Sequence, residues 1–463
     1  MRLAVGLAFA DASIVVLALP EIVARLHVSI SHVTWVIMAY NLALIAGSAM
    51  VIPVAGRIAS REVLVTALAL FGLASIGCGV SDSMEALVPC RCVQGLGGGL
   101  LLSASLALLA PGGRSEDSAP HRWSMAAAIG MAVGPAAGGI LTQLFNWRSI
   151  FLAQAPVALL AIILLLVVRV PAEPAVDCEE GLPPPSPARI LTANAALTLV
   201  SAGLMSALFL VVLLLISAWQ LTPIHAAEVV TSIPVAAVTA TGVARGRPQR
   251  LVAAFGAVLV ALGLLGTSLV THREVAWLIV MLAMVGAGIG FAFPSLTGIA
   301  LSGAGPLPAR TAKTVAARDG GIVLGLLILT PIFVHQLDRA PPQVLSAASA
   351  ALLATPISSH VEASLVPALL TAYRSTPEGE LPNFAPPFAR ARIHSNSKQR
   401  VVLKRLQRRL DSIVQHAVTR AFRRPLRYGV IFALAVLPLL GLDLMFGRPW
   451  RFGRGHQVSG ARE

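Results

Sequence analysis

Charge is what this chain has least of. Asp, Glu, Lys and Arg make up 12% of its 463 residues, about half of the roughly 25% carried by a soluble globular chain. Hydrophobic residues make up 56% and the mean hydropathy is +0.80. This balance excludes a large soluble enzyme and indicates an all-α polytopic membrane protein. Cysteine is sparse as well. Cys78, Cys90, Cys92 and Cys178 offer no disulfide framework, and with three of them in or beside apolar segments they read as packing residues. No His/Cys cluster has metal-ligand spacing. The absence of a Gly-x-x-x-x-Gly-Lys-Ser/Thr loop argues against an ATP-driven pump. The net charge of +14 invites a nucleic-acid partner, but the positive residues fall in short connectors and a C-terminal stretch rather than on one basic domain. No nucleic-acid partner is expected.

What the chain has instead is long apolar runs. A membrane helix needs about 20 mostly apolar residues. Such runs are Leu3–Pro20, Val33–Val54, Val63–Val80, Leu87–Ala110, Trp123–Leu144, Ile150–Val168, Ala193–Trp219, Ala226–Val243, Leu251–Val270, Val275–Leu301, Gly320–His335 and Tyr428–Phe446. A Pro-rich linker over 169–189, with Leu182-Pro-Pro-Pro-Ser-Pro187, divides the twelve six and six. The organisation expected is an N-terminal six-helix bundle (1–168), the linker, the first five helices of a C-terminal bundle (190–335), an insert (336–427), a last transmembrane helix (428–446) and a tail (447–463). The first run carries Asp11 and lacks a small-x-small cleavage pattern, so it reads as a retained helix and not a signal peptide; the true start of the chain is left open upstream.

Orientation follows from the positive residues in short loops. The connectors after spans two, four, six, eight and ten hold Arg57 and Arg61; Arg114 and Arg122; Arg169 and Arg189; Arg245, Arg247 and Arg250; Arg310, Lys313 and Arg318. The loops between them hold only Arg25, Arg148 and Arg273. Both termini and the linker are therefore expected in the cytoplasm. The insert at 336–427 is placed outside, since long loops escape the charge rule. Within it, Val401, Val402, Leu406, Leu410, Ile413 and Val414 recur at helical spacing among basic residues, the pattern of an amphipathic surface helix. Such a helix either packs on the rest of the protein or binds lipid headgroups.

Helix breakers cluster inside the fifth span as Gly130-Met-Ala-Val-Gly134-Pro135-Ala-Ala-Gly138-Gly139. Gly costs about 1 kcal/mol and Pro about 3 kcal/mol in a helix interior. In a bilayer both are tolerated because neighbouring helices re-satisfy the backbone, and small-xxx-small spacing lets backbones approach closely. Gln94-Gly-Leu-Gly-Gly-Gly99 in span four is echoed by Gly286-Ala-Gly-Ile-Gly290 in span ten, and Gly56-Arg57 by Gly246-Arg247. Matched glycine helices in two halves are the trace of transporter repeats. Lying within an apolar helix, the Gln94–Gly99 run does not fit a dinucleotide loop.

Asp11-Ala-Ser-Ile-Val-Val-Leu-Ala-Leu-Pro20, Trp35-Val-Ile-Met-Ala-Tyr40-Asn-Leu42, Arg91-Cys-Val-Gln94-Gly95-Leu-Gly97, the span-five glycines and Asn146-Trp147-Arg148-Ser-Ile-Phe151 follow one another over residues 8–160. In that order they resemble the major facilitator superfamily, and within it the multidrug–proton antiporter branch. The resemblance implies a major facilitator fold of two six-helix bundles, about 12 transmembrane helices, driven by a proton gradient with no cofactor. The loop after span two departs from the family's Gly-x-Leu-Ala-Asp-Arg-x-Gly-Arg-Arg. It reads Gly56-Arg57-Ile-Ala-Ser60-Arg61-Glu62, with Ser60 in place of the Asp and the last Gly and basic pair missing, which puts normal gating in doubt.

Charges inside a span are costly and mark function. Asp11 and Arg91 are therefore the candidates for proton coupling. Trp35, Tyr40, Asn41, Gln94, Phe209 and Phe291 are candidates for the substrate cavity, with Phe293 before Pro294 marking a bend. Gly130, Gly134, Pro135, Gly138 and Gly139 form the antiporter helix motif, and Gly56, Arg57, Arg61 and Glu62 the gating loop. Arg318 and Asp319, at the mouth of span eleven, read as a solvated interface pair. The function expected is proton-coupled export of small amphipathic or drug-like molecules by a monomer in a bacterial-type inner (plasma) membrane. A dedicated exporter of one endogenous metabolite, or a transporter-like sensor or assembly partner that has lost coupling, stays open.

Overall fold

The bilayer lets a chain cross only if every backbone polar group is satisfied within the crossing element, and the apolar runs meet that demand as helices. The structure, a computed structural model, describes residues 2–54, 60–109, 118–167, 186–243, 247–271, 273–302, 306–338, 350, 351, 355, 359–374, 384–393 and 395–446. The first six spans are α1 (Arg2–Leu26), α2 (Trp35–Val51), α3 (Ser60–Val80), α4 (Met84–Leu109), α5 (Ser118–Leu144) and α6 (Gln154–Val167). The next five are α7 (Pro187–Leu213), α8 (Pro223–Val243), α9 (Gln249–Ser268), α10 (Val275–Leu301) and α11 (Leu307–Asp338). Among the described residues, eleven helices are long and apolar enough to cross a membrane, and α5 adds the shorter apolar stretch Ile129–Leu144.

Local signals set several ends. The Ser186 hydroxyl accepts from the Arg189 N–H at the start of α7, with Pro187 at the first helical position, where a missing N–H costs nothing. The last span differs from the single run expected at 428–446. It is two helices, α15 (Arg423–Leu434) and α16 (Val436–Phe446), broken at Ala435. Pro438 has no N–H for the carbonyl four residues earlier, which ends the first ladder there.

Glycine sets the packing within each half. On α4, a Cβ at Gly95 or Gly99 would strike the α2 carbonyls of Tyr40 and Leu44. On α10, a Cβ at Gly286 or Gly290 would strike the α8 carbonyls of Ile233 and Ala237. The fourth and tenth spans thus use the same device against the second and eighth, and the repeat read in the sequence has a packing counterpart. Across the halves, α5 lies against α8, and α11 lies against α2 and α4.

One further boundary is corrected. Span eleven was expected to begin at Gly320, but α11 begins at Leu307. Its first turns carry Arg310, Lys313, Thr314, Arg318 and Asp319, which hydropathy reads as a connector; several face protein rather than lipid, with Thr311, Thr314 and Asp319 buried. The amphipathic helix of the insert is present as α14 (Ser397–Ala421), after α12 (Ser359–Arg374) and α13 (Ala385–Ile393). Its apolar stripe, with Leu403, Leu406 and Leu410, is buried against Val361, Leu365 and Leu369 of α12 and Phe388 of α13. Val401 is 53% exposed and lies off that stripe. The insert therefore has its own small core. The Trp219 indole N–H donates to Thr419 at 3.4 Å, tying α14 to the end of α7.

Candidate functional site

Asp11 lies near the middle of α1 and Arg91 two turns into α4, both fully buried. The structure brings them together. Arg91 Nη1 donates to the two Asp11 carboxylate oxygens at 3.0 and 2.9 Å and to Gln94 Oε1 at 2.7 Å, while Nε donates to the Val36 carbonyl at 3.0 Å. Asp11 Oδ1 also accepts from Gln154 Nε2 at 3.0 Å and, more weakly, from Gln94 Nε2 at 3.5 Å. Gln94 Nε2 donates in turn to Ser75 at 2.8 Å and to Gln154 Oε1 at 3.0 Å. The Arg91 guanidinium lies over the Tyr40 ring, 4.1 Å from its centroid. A buried charge is tolerable only when paired and hydrogen-bonded, and this network from α1, α2, α3, α4 and α6 does both. Sequence reading missed Gln154 and Ser75. A glutamine inside the apolar run of span six was the available signal for the first; a serine in a membrane helix carries none.

A second charged pair sits where the halves meet. Arg318 and Asp319 on α11 are joined by bonds of 3.3 Å from Nε and of 2.9 and 2.8 Å from Nη2, with side chains 13% and 2% exposed. They are not the solvated pair expected at the mouth of span eleven, because α11 starts a full three turns earlier. Arg318 lines a cavity of about 50 Å³ between the halves. Its walls include Phe9 and Trp123, Ala127 and Met131 from one half. The other half supplies Leu197, Ala237, Thr241, Ile289 and Phe293.

None of the six residues named for the substrate cavity lines this space. Trp35 is 46% exposed at the start of α2. Tyr40 and Gln94 belong to the Asp11–Arg91 network. Asn41 is buried and donates to the Ile37 carbonyl at 2.8 Å. Phe209, on α7, is buried in the main hydrophobic core, which runs through both halves. Phe291 meets Phe255 edge-on, 5.4 Å between centroids, and Phe255 is itself 54% exposed. Phe293 does line the cavity. Two residues apart is about 200° around a helix, so Phe291 and Phe293 necessarily face opposite ways. Of the four helices that carry the six candidates, α7 and α10 reach this cavity and α2 and α4 do not; helix rotation is not recorded in the sequence.

The span-five motif divides its work. A Cβ at Gly130 would strike the Gly6 carbonyl; at Gly134, the Ser13 hydroxyl and, at 2.8 Å, the Ala10 carbonyl; at Gly138, the Ile14 side chain and carbonyl at 2.9 Å. All three lie on α1, inside one half. Gly139 alone of the four faces across, where a Cβ would come within 2.5 Å of Ala227 Cβ and 2.8 Å of the Pro223 carbonyl on α8. Pro135 is accommodated within the same helix. In the gating loop, Gly56 and Arg57 lie outside the described residues. Arg61 Nη2 donates to the Leu165 and Leu166 carbonyls at 3.1 and 2.9 Å, capping the end of α6; Glu62 is exposed in the first turn of α3.

A family model described as Major Facilitator Superfamily matches residues 2–328. The Methylenomycin A resistance protein of Bacillus subtilis (strain 168) is 35% identical over 160 residues, 33% of this chain and 34% of that protein. The Lincomycin resistance protein of Streptomyces lincolnensis is 35% identical over 165 residues, 34% of each. Multidrug resistance protein Stp of Mycobacterium tuberculosis is 35% identical over 164 residues, 34% of this chain and 30% of that protein. These matches span about a third of the relatives' length. In fold, the chain is similar to a bacterial homolog of the human lysosomal transporter Spinster, inward-facing and unoccupied, with a TM-score of 0.63 at 15% identity over 96% of both chains. The xylose transporter XylE from E. coli follows at 0.55 and 16%, over 70% of this chain and 90% of that one.

Proposed function

The chain belongs to the Major Facilitator Superfamily, a family of membrane transporters and not of enzymes, and from that premise we propose that it exports small amphipathic or drug-like molecules in exchange for protons. The cavity between the halves carries the reading. Its walls are mostly aromatic and aliphatic, supplied from both bundles, as suits apolar and variable ligands. At about 50 Å³ it is far below the roughly 300 Å³ at which ligand pockets begin. A substrate enters only if the halves part, which is alternating access. The likeness of about a third of the chain to resistance proteins supports export as the direction.

In this reading Asp11 carries the proton and Arg91 answers it. Protonating Asp11 removes the negative partner of Arg91 and weakens every bond its carboxylate accepts, so the network rearranges as water reaches it. Both termini lie in the cytoplasm of a bacterial-type plasma membrane. Two same-face contacts fit that topology. Arg61 in the first turn of span three caps the end of span six, and Arg148, opening span six, bonds Asp82 between spans three and four at 2.6 Å.

The test is efflux from liposomes under an imposed proton gradient, with a panel of amphipathic acids, neutrals and cations. Gradient-dependent flux of at least one compound is expected, and its loss in Asp11→Asn. No flux for any compound rejects the exporter; unchanged flux in Asp11→Asn removes Asp11 as the carrier.

A further inference from the structure

The Arg318–Asp319 pair is not used by the proton mechanism, and its place in the fold asks for an explanation. Arg318 lies about 17 Å along α11 from its start at 1.5 Å per residue, three turns inside the helix, with its side chain 13% exposed. An ionisable group buried in a membrane helix is costly and needs a partner. Asp319 takes Nε and Nη2 of the guanidinium. Nη1 is closed off from solvent and has no hydrogen-bond partner. Asp319 lies outside the cavity wall, whereas Arg318 is part of it. The arginine is therefore the cavity-side member of the pair, and its Nη1 lacks a partner in this closed arrangement.

Three of the four other polar side chains on the wall, all but Thr297, hydrogen-bond within the protein. The Thr241 hydroxyl donates to the Ala237 carbonyl at 2.8 Å, the Thr314 hydroxyl to the Arg310 carbonyl at 3.1 Å, and the Trp123 N–H to Ser105 at 3.1 Å. No carboxylate is among the described residues of the wall. A guanidinium is donor-only, so Nη1 takes an acceptor, and a charged acceptor best. A cationic ligand would meet the arginine with no counter-charge in the cavity.

We propose that Arg318 is the recognition point of the central cavity and that the molecules carried are amphipathic acids: an apolar, ring-containing body with a carboxylate or comparably acidic oxygen. The acid pairs with Nη1 while the body rests on Phe9, Trp123, Met131 and Phe293. This rests on the exporter reading for its biological sense, but binding tests it without any gradient.

The experiment is calorimetric titration of the protein in nanodiscs with two probes of one body, 2-naphthoate and 2-naphthylmethylammonium. The wild type is expected to bind the acid at least tenfold more tightly than the amine, the scale of one charge-assisted hydrogen bond. Because Arg318→Gln alone strands Asp319, the decisive variant is the neutral double R318Q/D319N, expected to lose the preference while remaining folded by its thermal transition. Asp319→Asn alone, which frees the whole fork, is expected to bind the acid more tightly than wild type. Equal or tighter binding of the amine by the wild type, no binding of either probe, or a preference that survives in the folded double variant overturns the proposal. If the acid preference depends on Arg318 and yet no gradient drives efflux, the exporter reading fails and the binding site stands; if efflux is gradient-driven but the acid has no advantage, the reverse holds.

Discussion

Arg318 of α11 holds its guanidinium carbon 4.2 Å from the centroid of the Phe9 ring on α1. The contact joins the two halves at the cavity, and Phe9 is in turn braced edge-on by Trp123, 5.2 Å between centroids. A cation–π contact is worth about 0.5–2 kcal/mol, most when desolvated, and parting the halves along this line breaks it. Phe9→Leu keeps the apolar volume and loses the ring face. The variant is expected to expose the cavity more often, seen as a roughly 2- to 30-fold faster maleimide reaction of a Thr241→Cys probe. An unchanged rate would show that the contact does not hold the closed arrangement.

The Asp11–Arg91 pair sets a stability prediction separate from transport. Breaking a buried pair from one side costs about 3–5 kcal/mol, whereas replacing both partners is often nearly neutral. Arg91→Ala should lower the detergent-solubilised melting temperature sharply. Asp11→Asn/Arg91→Gln should recover much of that loss, a non-additivity a thermal double-mutant cycle reads directly. Additive losses would mean the two side chains are not coupled.

Gln154 donates to Asp11 and accepts from Gln94. Gln154→Leu leaves a buried carboxylate one donor short and takes one acceptor from the Gln94 amide, at about 1–3 kcal/mol. The expected result is a lower melting temperature than for Gln154→Glu at acidic pH, where a protonated glutamic acid can still donate to Asp11. Equal stability of the two variants would place Gln154 outside the network.

The glycines of the fifth span separate by what a methyl would meet. Gly130→Val drives a side chain into the Gly6 carbonyl, and no flexible atom is there to yield; α1 must move, and the folded yield should fall. Gly242 on α8 has nothing within 4 Å, so Gly242→Ala should be neutral or stabilising by up to about 1 kcal/mol through helix propensity. Thermal scans of the two variants side by side decide it.

Gly139→Val is different again, because the collision is with α8 across the halves. It should leave the N-terminal bundle intact while weakening closure where α5 meets α8. Here the Gln143 carboxamide oxygen also accepts from the Ile224 N–H at 3.1 Å. Faster labelling of an Ile224→Cys probe with an unchanged melting temperature is the expected signature.

Much of the architecture was legible before any coordinates. The linker at 169–189, the glycine echo between spans four and ten, and the order of motifs over 8–160 pointed to the family that the chain belongs to. Asp11 and Arg91 were singled out because a charge in an apolar run is conspicuous. Less could be read where a property depends on direction around a helix. Phe291 and Phe293 share a span and face opposite ways. Gly138 and Gly139 are neighbours in sequence but serve different interfaces. Local hydropathy makes Arg318 and Asp319 look solvated, because the turns before them are polar, although those turns continue the helix against protein.

The sequence by itself determined that the chain spans a membrane, roughly where each helix runs, and which family's motifs it carries. Bilayer thickness and the need to satisfy the backbone act on consecutive residues, so their imprint lies along the chain. Only the tertiary structure decided that Arg91 is neutralised inside one half while Arg318 keeps a free donor between the two. Helix rotation and the end of α11 are set by partners far away in sequence, through contacts that no local pattern records.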